Sequence, residues 1–170
     1  MKKLMGAALL AVAGMAGTAQ VAPAIAKETK ADDGKGTKKV IPTPPDGKGQ
    51  IVFYRPGGMG FALGCGVNEN GERLSALGAG KYFILPVDPG SHSYTVKSEA
   101  TDLLTLEVEP GETYYVKCKI KMGIMVGRPN IAPSTQEEFD KDSHKLKYVD
   151  GDDVGPKVLP NPDVEAAKTE

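Results

Sequence analysis

Residues that could support catalysis or bind a metal ion are scarce in this sequence and lie far apart. The chain of 170 residues contains two histidines and two cysteines. Ser91 directly precedes His92, but the members of a catalytic triad meet in space, and the sequence has no Gly-x-Ser-x-Gly motif. A zinc site needs three or four ligands, and neither His92 nor His144 has a partner at a suitable spacing. We therefore predict a protein that is not an enzyme and uses no metal or cofactor, with a hydrolase as the least favoured alternative.

The two cysteines, Cys65 and Cys118, both fall on the apolar side of a predicted strand. In an exported protein they could form a disulfide, and closing a loop of about 50 residues would stabilise the fold by roughly 2–4 kcal/mol. One alternative is a pair of buried thiols that lie too far apart to react. A second is a soft-metal site that adds Met59, Met122 or Met125, although no Met-x-x-Met or Cys-x-x-Cys cluster supports it.

A glycine-rich run, residues 57–66, follows the first predicted strand. A dinucleotide-binding loop needs Gly-x-Gly-x-x-Gly at the start of a helix. Here the third glycine comes one residue late and a strand pattern follows. We therefore interpret the run as a flexible connection into a strand, in which Gly64 and Gly66 leave room for close packing or a bulge. A loop that grips a ligand is the alternative.

Three lysines alternate with apolar residues along the longest predicted strand, Tyr114–Met122. They share one face with a tyrosine, and we expect this face to be open to solvent. Such a cationic face could attract anionic envelope material or an acidic protein surface. The alternative is a charged face or guarded edge that keeps the sheet soluble. Tyr54 and Arg55 end another predicted strand and could contact a partner, although a buried salt bridge would also fit there. The candidate binding surface is therefore Tyr54, Arg55, Tyr115, Lys117, Lys119 and Lys121.

Alternation of apolar and polar residues predicts the strands that position these side chains. In the segment Tyr114–Met122, for example, every second residue is apolar, which gives one dry side. The same period recurs along the chain between turn residues. It predicts about seven short strands, near residues 51–54, 61–67, 73–77, 81–87, 92–96, 104–108 and 114–122.

Turn residues separate these strands. Asp88-Pro89-Gly90 and Glu109-Pro110-Gly111 each predict a chain reversal, because proline suits the first central position of a turn and glycine accepts a positive φ at the second. Asn70-Gly71 is a strong hairpin signal, and Gly78-Ala79-Gly80 predicts a fourth reversal. Shared turn chemistry also explains the likeness of the two Pro-Gly segments, so we do not interpret them as a structural repeat.

One short helix is predicted after the strands. Ser134 followed by Glu137 fits a capping box, and Phe139 is the main apolar residue of an otherwise polar segment. We expect this helix to lie on the protein surface. The predicted fold class is therefore all-β, an antiparallel β-sandwich of about seven strands with one short C-terminal surface helix.

The ends of the chain differ in composition from its centre. Residues 1–26 combine Lys2 and Lys3, a short apolar run and Ala24-Ile25-Ala26, a pattern typical of a signal peptide cleaved before Lys27. Gly17-Thr18-Ala19 is a second candidate cleavage site. Residues 27–49 predict a flexible linker, residues 50–149 the β-sandwich domain, and residues 150–170 a disordered tail. We expect a periplasmic or secreted protein.

The charge balance bears on the partners. The formal net charge is −1, which does not favour nucleic acid. The apolar run at the N-terminus is short for a membrane span, and no cysteine near the cleavage site could carry a lipid. We therefore expect no nucleic acid partner and no stable membrane anchor.

Four motifs in order carry a resemblance to a known family. They are Ile51 to Pro56, Gly80 to Phe83, Val87 to His92 and Pro110 to Lys117. Over roughly residues 49–147 the chain resembles the bacterial exported family called domain of unknown function 2846. The resemblance implies a transthyretin-like β-sandwich in the cell envelope and no catalytic residues. Many members look like lipoproteins, and this chain departs from them because it lacks the lipidated cysteine.

The function predicted from these observations is that of an exported, non-catalytic β-sandwich of the envelope, a binding or assembly module. Its partner would be an envelope protein or an anionic envelope component. The alternative is a carrier of a soft metal or a small ligand.

Overall fold

Segments of alternating apolar residues form nine strands in the part of the chain that the structure describes. The computed structural model describes residues 37–58, 62–124, 127–162 and 164. The strands are β1 Gly49–Arg55, β2 Cys65–Glu69, β3 Glu72–Leu77, β4 Lys81–Val87, β5 Gly90–Lys97, β6 Thr101–Val108, β7 Thr113–Lys121, β8 Arg128–Ser134 and β9 Lys147–Tyr148. The helix α1 spans Gln136–Ser143.

The strands form two sheets, which confirms the predicted all-β sandwich. The first sheet has the order β8-β7-β1-β4-β9 and the second has the order β3-β2-β5-β6. The sheets are not antiparallel throughout, because β1 pairs with β7 and β4 pairs with β9 in parallel. The centre of the first sheet is occupied by β1, so its two neighbours arrive from distant parts of the sequence.

The two Pro-Gly reversals connect strands of different sheets. Asp88-Pro89-Gly90 joins β4 of the first sheet to β5 of the second, and Glu109-Pro110-Gly111 joins β6 back to β7. Gly111 has φ +80°, and Glu112 N donates to Glu109 O at 3.4 Å. The predicted reversals are therefore confirmed as corners of the sandwich rather than hairpins. Asn70-Gly71 is a true hairpin between β2 and β3, with positive φ at both residues as a type I′ turn requires.

Aromatic side chains fill both faces of the first sheet. Between the sheets, the ring of Phe53 stacks on Phe83 with centroids 5.0 Å apart and meets Tyr94 edge-on at 5.1 Å. On the outer face, Phe139 of α1 is fully buried against three rings, those of Tyr54, Tyr82 and Tyr115. The predicted helix is confirmed, and it covers a second apolar layer. Its N-cap is Thr135, one residue later than expected, which accepts from Glu138 N at 3.3 Å.

The main differences from the predicted strands are the start of β2 and the presence of β8 and β9. Strand β2 begins at Cys65, later than the predicted start at Phe61, and Phe61 itself lies outside the described residues. Strand β8 is not among the predicted strands, and it contains Pro129 and Pro133. Proline lacks the N–H that a ladder needs, but β8 is the edge of its sheet and pairs only with β7, so both prolines are tolerated.

Both flanking segments pack against the sandwich where they are described. Residues 37–48 were predicted to be flexible, yet Ile41 packs on the core and Gln50 Nε2 donates to Pro42 O at 2.6 Å. Residues 150–162 were predicted to be a disordered tail, yet Val158 is buried and Leu159 N donates to Ile84 O at 2.9 Å. Apolar residues scattered among prolines were sufficient to hold these segments.

The predicted signal peptide, residues 1–26, and the start of the predicted linker lie outside the described residues. Within the described ranges, no helix has both the length and the apolar character needed to span a bilayer. The described residues belong to one compact unit, Asp33–Glu170.

Candidate functional site

A disulfide joins Cys65 of β2 to Cys118 of β7. It bridges the two sheets, and both residues are buried. The pairing occupies the two sulfur atoms that a soft-metal site would use. Of the methionines considered with them, Met122 is 84% exposed at the end of β7, while Met59 and Met125 lie outside the described residues.

Tyr54 and Tyr115 do not lie on an open surface as expected. Both are buried beneath α1, because Phe139 packs on their rings at centroid distances of 5.2 and 5.3 Å. The Tyr54 hydroxyl hydrogen-bonds to Ser134 Oγ at 2.7 Å. Burial raises the pKa of both phenols above the ordinary value. These tyrosines support the sheet and the helix rather than presenting a contact surface.

Lys117 lies half-buried at the margin of the helix. The parallel register of β1 and β7 sets it beside Tyr54, with Nζ 5.4 Å from the centre of the ring. Its Nζ also donates to Asp142 Oδ2 of α1 at 2.9 Å. Burial opposes the charge, but the Asp142 hydrogen bond and nearby acidic groups outweigh it, so the pKa of Lys117 is raised. This lysine carries a persistent positive charge in a fixed position.

Arg55 is 2% exposed and lies at the end of β1. Its Nη1 donates to the carbonyl oxygen of Leu63 and to that of Leu77, the latter at 3.2 Å. Burial lowers the pKa of Arg55, although a guanidinium keeps its proton in proteins. The side chain therefore ties the loop before β2 to the end of β3 while remaining a cation.

Arg55, Lys117 and Lys119 line one surface pocket of about 290 Å³. Among the described residues that line the pocket, Asp142 is the acidic one. Its carboxylate already accepts a hydrogen bond from Lys117. Lys119 is exposed, and Lys121 lies two residues further along the same face, outside the pocket. The remaining lining comes from Pro56, Gly57, Cys118 and Ile120.

This pocket is the candidate functional site because its chemistry matches an anionic ligand. Three cations against one carboxylate leave an excess of positive charge at a concave surface, where attraction to an anion is less screened than on an open face. Its described lining contains no serine, histidine or free thiol that could act as a nucleophile or general base. The arrangement can bind and orient an anion.

His92 takes another role. Both ring nitrogens of His92 are engaged, Nδ1 with Glu69 Oε1 and Nε2 with Asp88 O, each at 2.8 Å. His92 therefore has no free nitrogen with which to activate its neighbour Ser91. No group of three or more metal-ligating side chains occurs among the described residues.

Two larger grooves border residues 38–46, with volumes of about 450 and 540 Å³. The first lies against α1 and includes Lys38, whose Nζ pairs with Asp140 at 2.6 Å. The second is lined mainly by prolines and Leu159. Asp140 offsets the charge of Lys38 in the first groove and the lining of the second is mostly apolar, so we do not assign a site to them.

Sequence reasoning found the cations of the pocket but missed Asp142. The residue is acidic and lies on a predicted polar helix, so its type gives no signal of a partner 25 positions away. Only the packing of α1 on β7 brings it to Lys117. The helix also removed the two tyrosines from the expected surface.

The fold and the pocket define a two-sheet β-sandwich protein with a cationic surface site. Residues 45–130, about half of the chain, match the family described as "Protein of unknown function (DUF2846)", and the chain belongs to this family. The chain is also similar to an uncharacterized protein of Haemophilus influenzae, with 26% identity over 111 residues. That match covers 65% of this chain and 66% of the relative, slightly less than two thirds of its length.

No solved structure matches the chain. The transthyretin-like subtype implied by the family resemblance therefore stays a prediction.

Proposed function

We propose that this protein is an exported, non-catalytic module of the cell envelope that binds an anionic envelope component through the pocket of Arg55, Lys117 and Lys119. The observation that carries the proposal is the convergence of three cationic side chains on one pocket with a single carboxylate among its described lining. A phosphate-bearing or carboxylate-bearing group is the ligand chemistry that guanidinium and ammonium donors prefer.

The fixed position of the cations supports this proposal. Arg55 is held by two carbonyl oxygens, and Lys117 is held by Asp142 and the ring of Tyr54. Pre-positioned donors lose little conformational freedom when a ligand binds. Lys119 is exposed, so it can close on the ligand from the solvent side.

The alternative functions are less well supported. A soft-metal carrier would need the disulfide between Cys65 and Cys118 to be reduced before either sulfur could bind a metal. A hydrolase would need a nucleophile and a base in contact, and His92 is engaged by Glu69 and Asp88 instead.

Titration of the folded protein with inorganic phosphate tests the pocket. We expect phosphate to shift the amide resonances of Arg55, Gly57 and Lys119 in nuclear magnetic resonance spectra. The binding should weaken as sodium chloride is added, because salt screens the attraction. Lys119→Gln should weaken binding, and Asp142→Asn should strengthen it because the competing carboxylate charge is removed.

Lys145→Gln is the matched control, since it removes an exposed lysine that does not line the pocket. Equal loss of phosphate binding in this variant and in Lys119→Gln would mean that only overall charge matters. That result, or the absence of shifts at the pocket amides, would refute the proposed site.

Export is tested separately by determining the N-terminus of the protein recovered from the periplasmic fraction. Cleavage after Ala26 predicts a mature chain that begins at Lys27. Protein found only in the cytoplasm with its first residues intact would contradict export while leaving the phosphate titration meaningful.

A further inference from the structure

Two apolar side chains project into solvent immediately after β7. Met122 is 84% exposed and Ile124 is 88% exposed, although each could be buried at a favourable free energy. Monomeric proteins tolerate single exposed apolar residues. Two such residues, separated by one position at the end of β7 and both almost completely exposed, point instead to a surface that contacts something apolar.

The backbone of Ile124 is held in place. Glu99, in the turn between β5 and β6, accepts from Ile124 N at 3.3 Å and from Arg128 Nε at 3.2 Å. One carboxylate therefore ties the start of the loop to the first residue of β8. Ile124 is therefore exposed at a position where its own backbone N–H is hydrogen-bonded.

Positive charges flank the two apolar residues. Lys121 precedes Met122 and is exposed, and Lys119 lies on the same face of β7 as Lys121. Arg128 stands at the other end of the loop, with part of its charge offset by Glu99. An apolar projection with a cationic border is the combination that suits a lipid surface bearing anionic headgroups.

The small extent of this apolar surface favours a lipid partner over a protein partner. A stable protein interface buries roughly 800 Å² on each side and needs a matching surface. Among the described residues between β7 and β8, Met122 and Ile124 are the two large apolar side chains that are exposed, which is too little surface for such an interface. A fluid bilayer can accept single side chains without a preformed pocket. We infer that the β7–β8 tip, defined as Met122 and Ile124 with Lys121 and Arg128, contacts a membrane surface that contains anionic phospholipids.

This inference deepens the proposed function, on which it rests for the anionic nature of the partner, and it names that partner as a lipid surface. Arg55, Lys117 and Lys119 would receive a headgroup phosphate while the tip enters the interface. The strand β7 connects the two, because it carries Lys117 and Lys119 and leads directly into the tip.

Vesicle sedimentation tests the inference. The full-length mature protein is mixed with vesicles of phosphatidylcholine alone or of phosphatidylcholine with phosphatidylglycerol. We expect binding to the vesicles that contain phosphatidylglycerol. The variant Met122→Ser/Ile124→Ser should reduce the partition coefficient by about tenfold, since two apolar side chains no longer enter the interface. Lys121→Gln should reduce binding to these vesicles only.

Val40→Ser is the matched control, because Val40 is also apolar and 80% exposed but lies on the segment before β1. It should leave vesicle binding unchanged. All substituted residues are exposed, so thermal unfolding curves should coincide with that of the unchanged protein.

Three results would overturn the inference: no binding of the unchanged protein to either vesicle, equal binding of the tip variant and the unchanged protein, or an equal loss in Val40→Ser. Capture of a protein partner that depends on Met122 and Ile124, without vesicle binding, would also overturn it. The tip variant keeps the pocket residues, so its phosphate titration separates failure at the tip from failure of the proposed function.

Discussion

The imidazole of His92 is bound by two groups that can only accept hydrogen bonds. One is the carboxylate of Glu69 and the other is the backbone carbonyl of Asp88. A neutral imidazole has one N–H, so both bonds are made only when the ring is protonated. Burial disfavours this charge, but the hydrogen bonds to Glu69 and Asp88 outweigh burial and raise the pKa of His92 above 6.5.

This raised pKa predicts a pH-dependent stability. The contribution of His92 is fully present below about pH 6.5, its ordinary pKa, and is lost as pH rises through the higher pKa of the folded state. Urea unfolding should therefore show a free energy of unfolding that declines as the pH rises above about 6.5. His92→Gln should remove this decline and cost about 1 kcal/mol per lost hydrogen bond at acidic pH.

Glu69→Gln is the useful comparison, because it keeps an acceptor while removing the negative charge. It should lower the midpoint of the His92 ring titration measured by nuclear magnetic resonance. A midpoint at or below the ordinary value in the unchanged protein would contradict this account of His92.

At the scale of elements, the disulfide is the covalent link between the sheets. Cys65 and Cys118 are separated by 53 positions and belong to strands that do not pair with each other. The bond restricts the unfolded chain, and both sulfurs lie in the apolar core where they also fill space. Strands β2 and β7 are thereby held at one relative position.

Loss of this bond should destabilise the domain. We expect reduction, or the variant Cys65→Ala/Cys118→Ala, to lower the free energy of unfolding by roughly 2–4 kcal/mol. Urea unfolding with and without reductant measures the effect. The double variant is the control, since reductant should not change it, and an unchanged protein that is equally stable in reductant would disprove the prediction.

The segment after β9 completes the edge of the first sheet. The hydroxyl of Tyr148 accepts from Ile84 N at 3.2 Å and donates to Leu159 O at 2.7 Å, while Leu159 N donates to Ile84 O at 2.9 Å. One tyrosine thus joins β4 to residues that were predicted to be disordered. Burial raises its pKa to about 12, so the hydroxyl remains neutral at physiological pH.

Tyr148→Phe should loosen this edge. It leaves Ile84 N and Leu159 O without the hydroxyl and should cost about 1–3 kcal/mol, the penalty for unsatisfied buried groups. Hydrogen exchange should become faster at the amides of Ile84 and Leu159. Amides of the β5–β6 pair serve as an internal control. If Ile84 and Leu159 exchange at the same rates in the variant and in the unchanged protein, the assigned role of Tyr148 is refuted.

At the scale of the whole molecule, the edge strands β8 and β3 are protected by different means. On β8, the backbone nitrogens of residues 129, 131 and 133 face away from β7. Two of these residues are prolines without an N–H, and the third, Ile131, donates from its N–H to Asp102 Oδ2 at 2.9 Å. The edge strand β3 receives Val154 opposite Ser75, and Gly155 packs so closely that a Cβ would lie 1.6 Å from Leu74 O. These contacts block strand pairing between molecules.

Asp102 is the removable part of this protection. Asp102→Ala should leave Ile131 N exposed at the edge, cost about 1–3 kcal/mol and promote association between molecules. Analytical ultracentrifugation over a range of concentrations measures the association. Asp102→Asn retains an acceptor oxygen and should remain closer to the unchanged protein, and an alanine variant that does not associate would argue against edge protection by Asp102.

The sequence by itself determined the local features of this protein. Alternation with period two and the turn residues predicted seven of the nine described strands, the hairpin at Asn70-Gly71 and the reversals at Gly90 and Gly111. It also predicted the helix and identified Arg55, Lys117 and Lys119 as cations to examine. These features depend on neighbours a few positions away, so the chain records them directly.

Only the tertiary structure decided which of those residues share a site. The parallel pairing of β1 with β7, the burial of Tyr54 and Tyr115 under Phe139, and the contact of Lys117 with Asp142 all join distant positions. Residue type is compatible with many such partners. The choice among them is made by packing, because the sandwich must bury both faces of its first sheet at the same time.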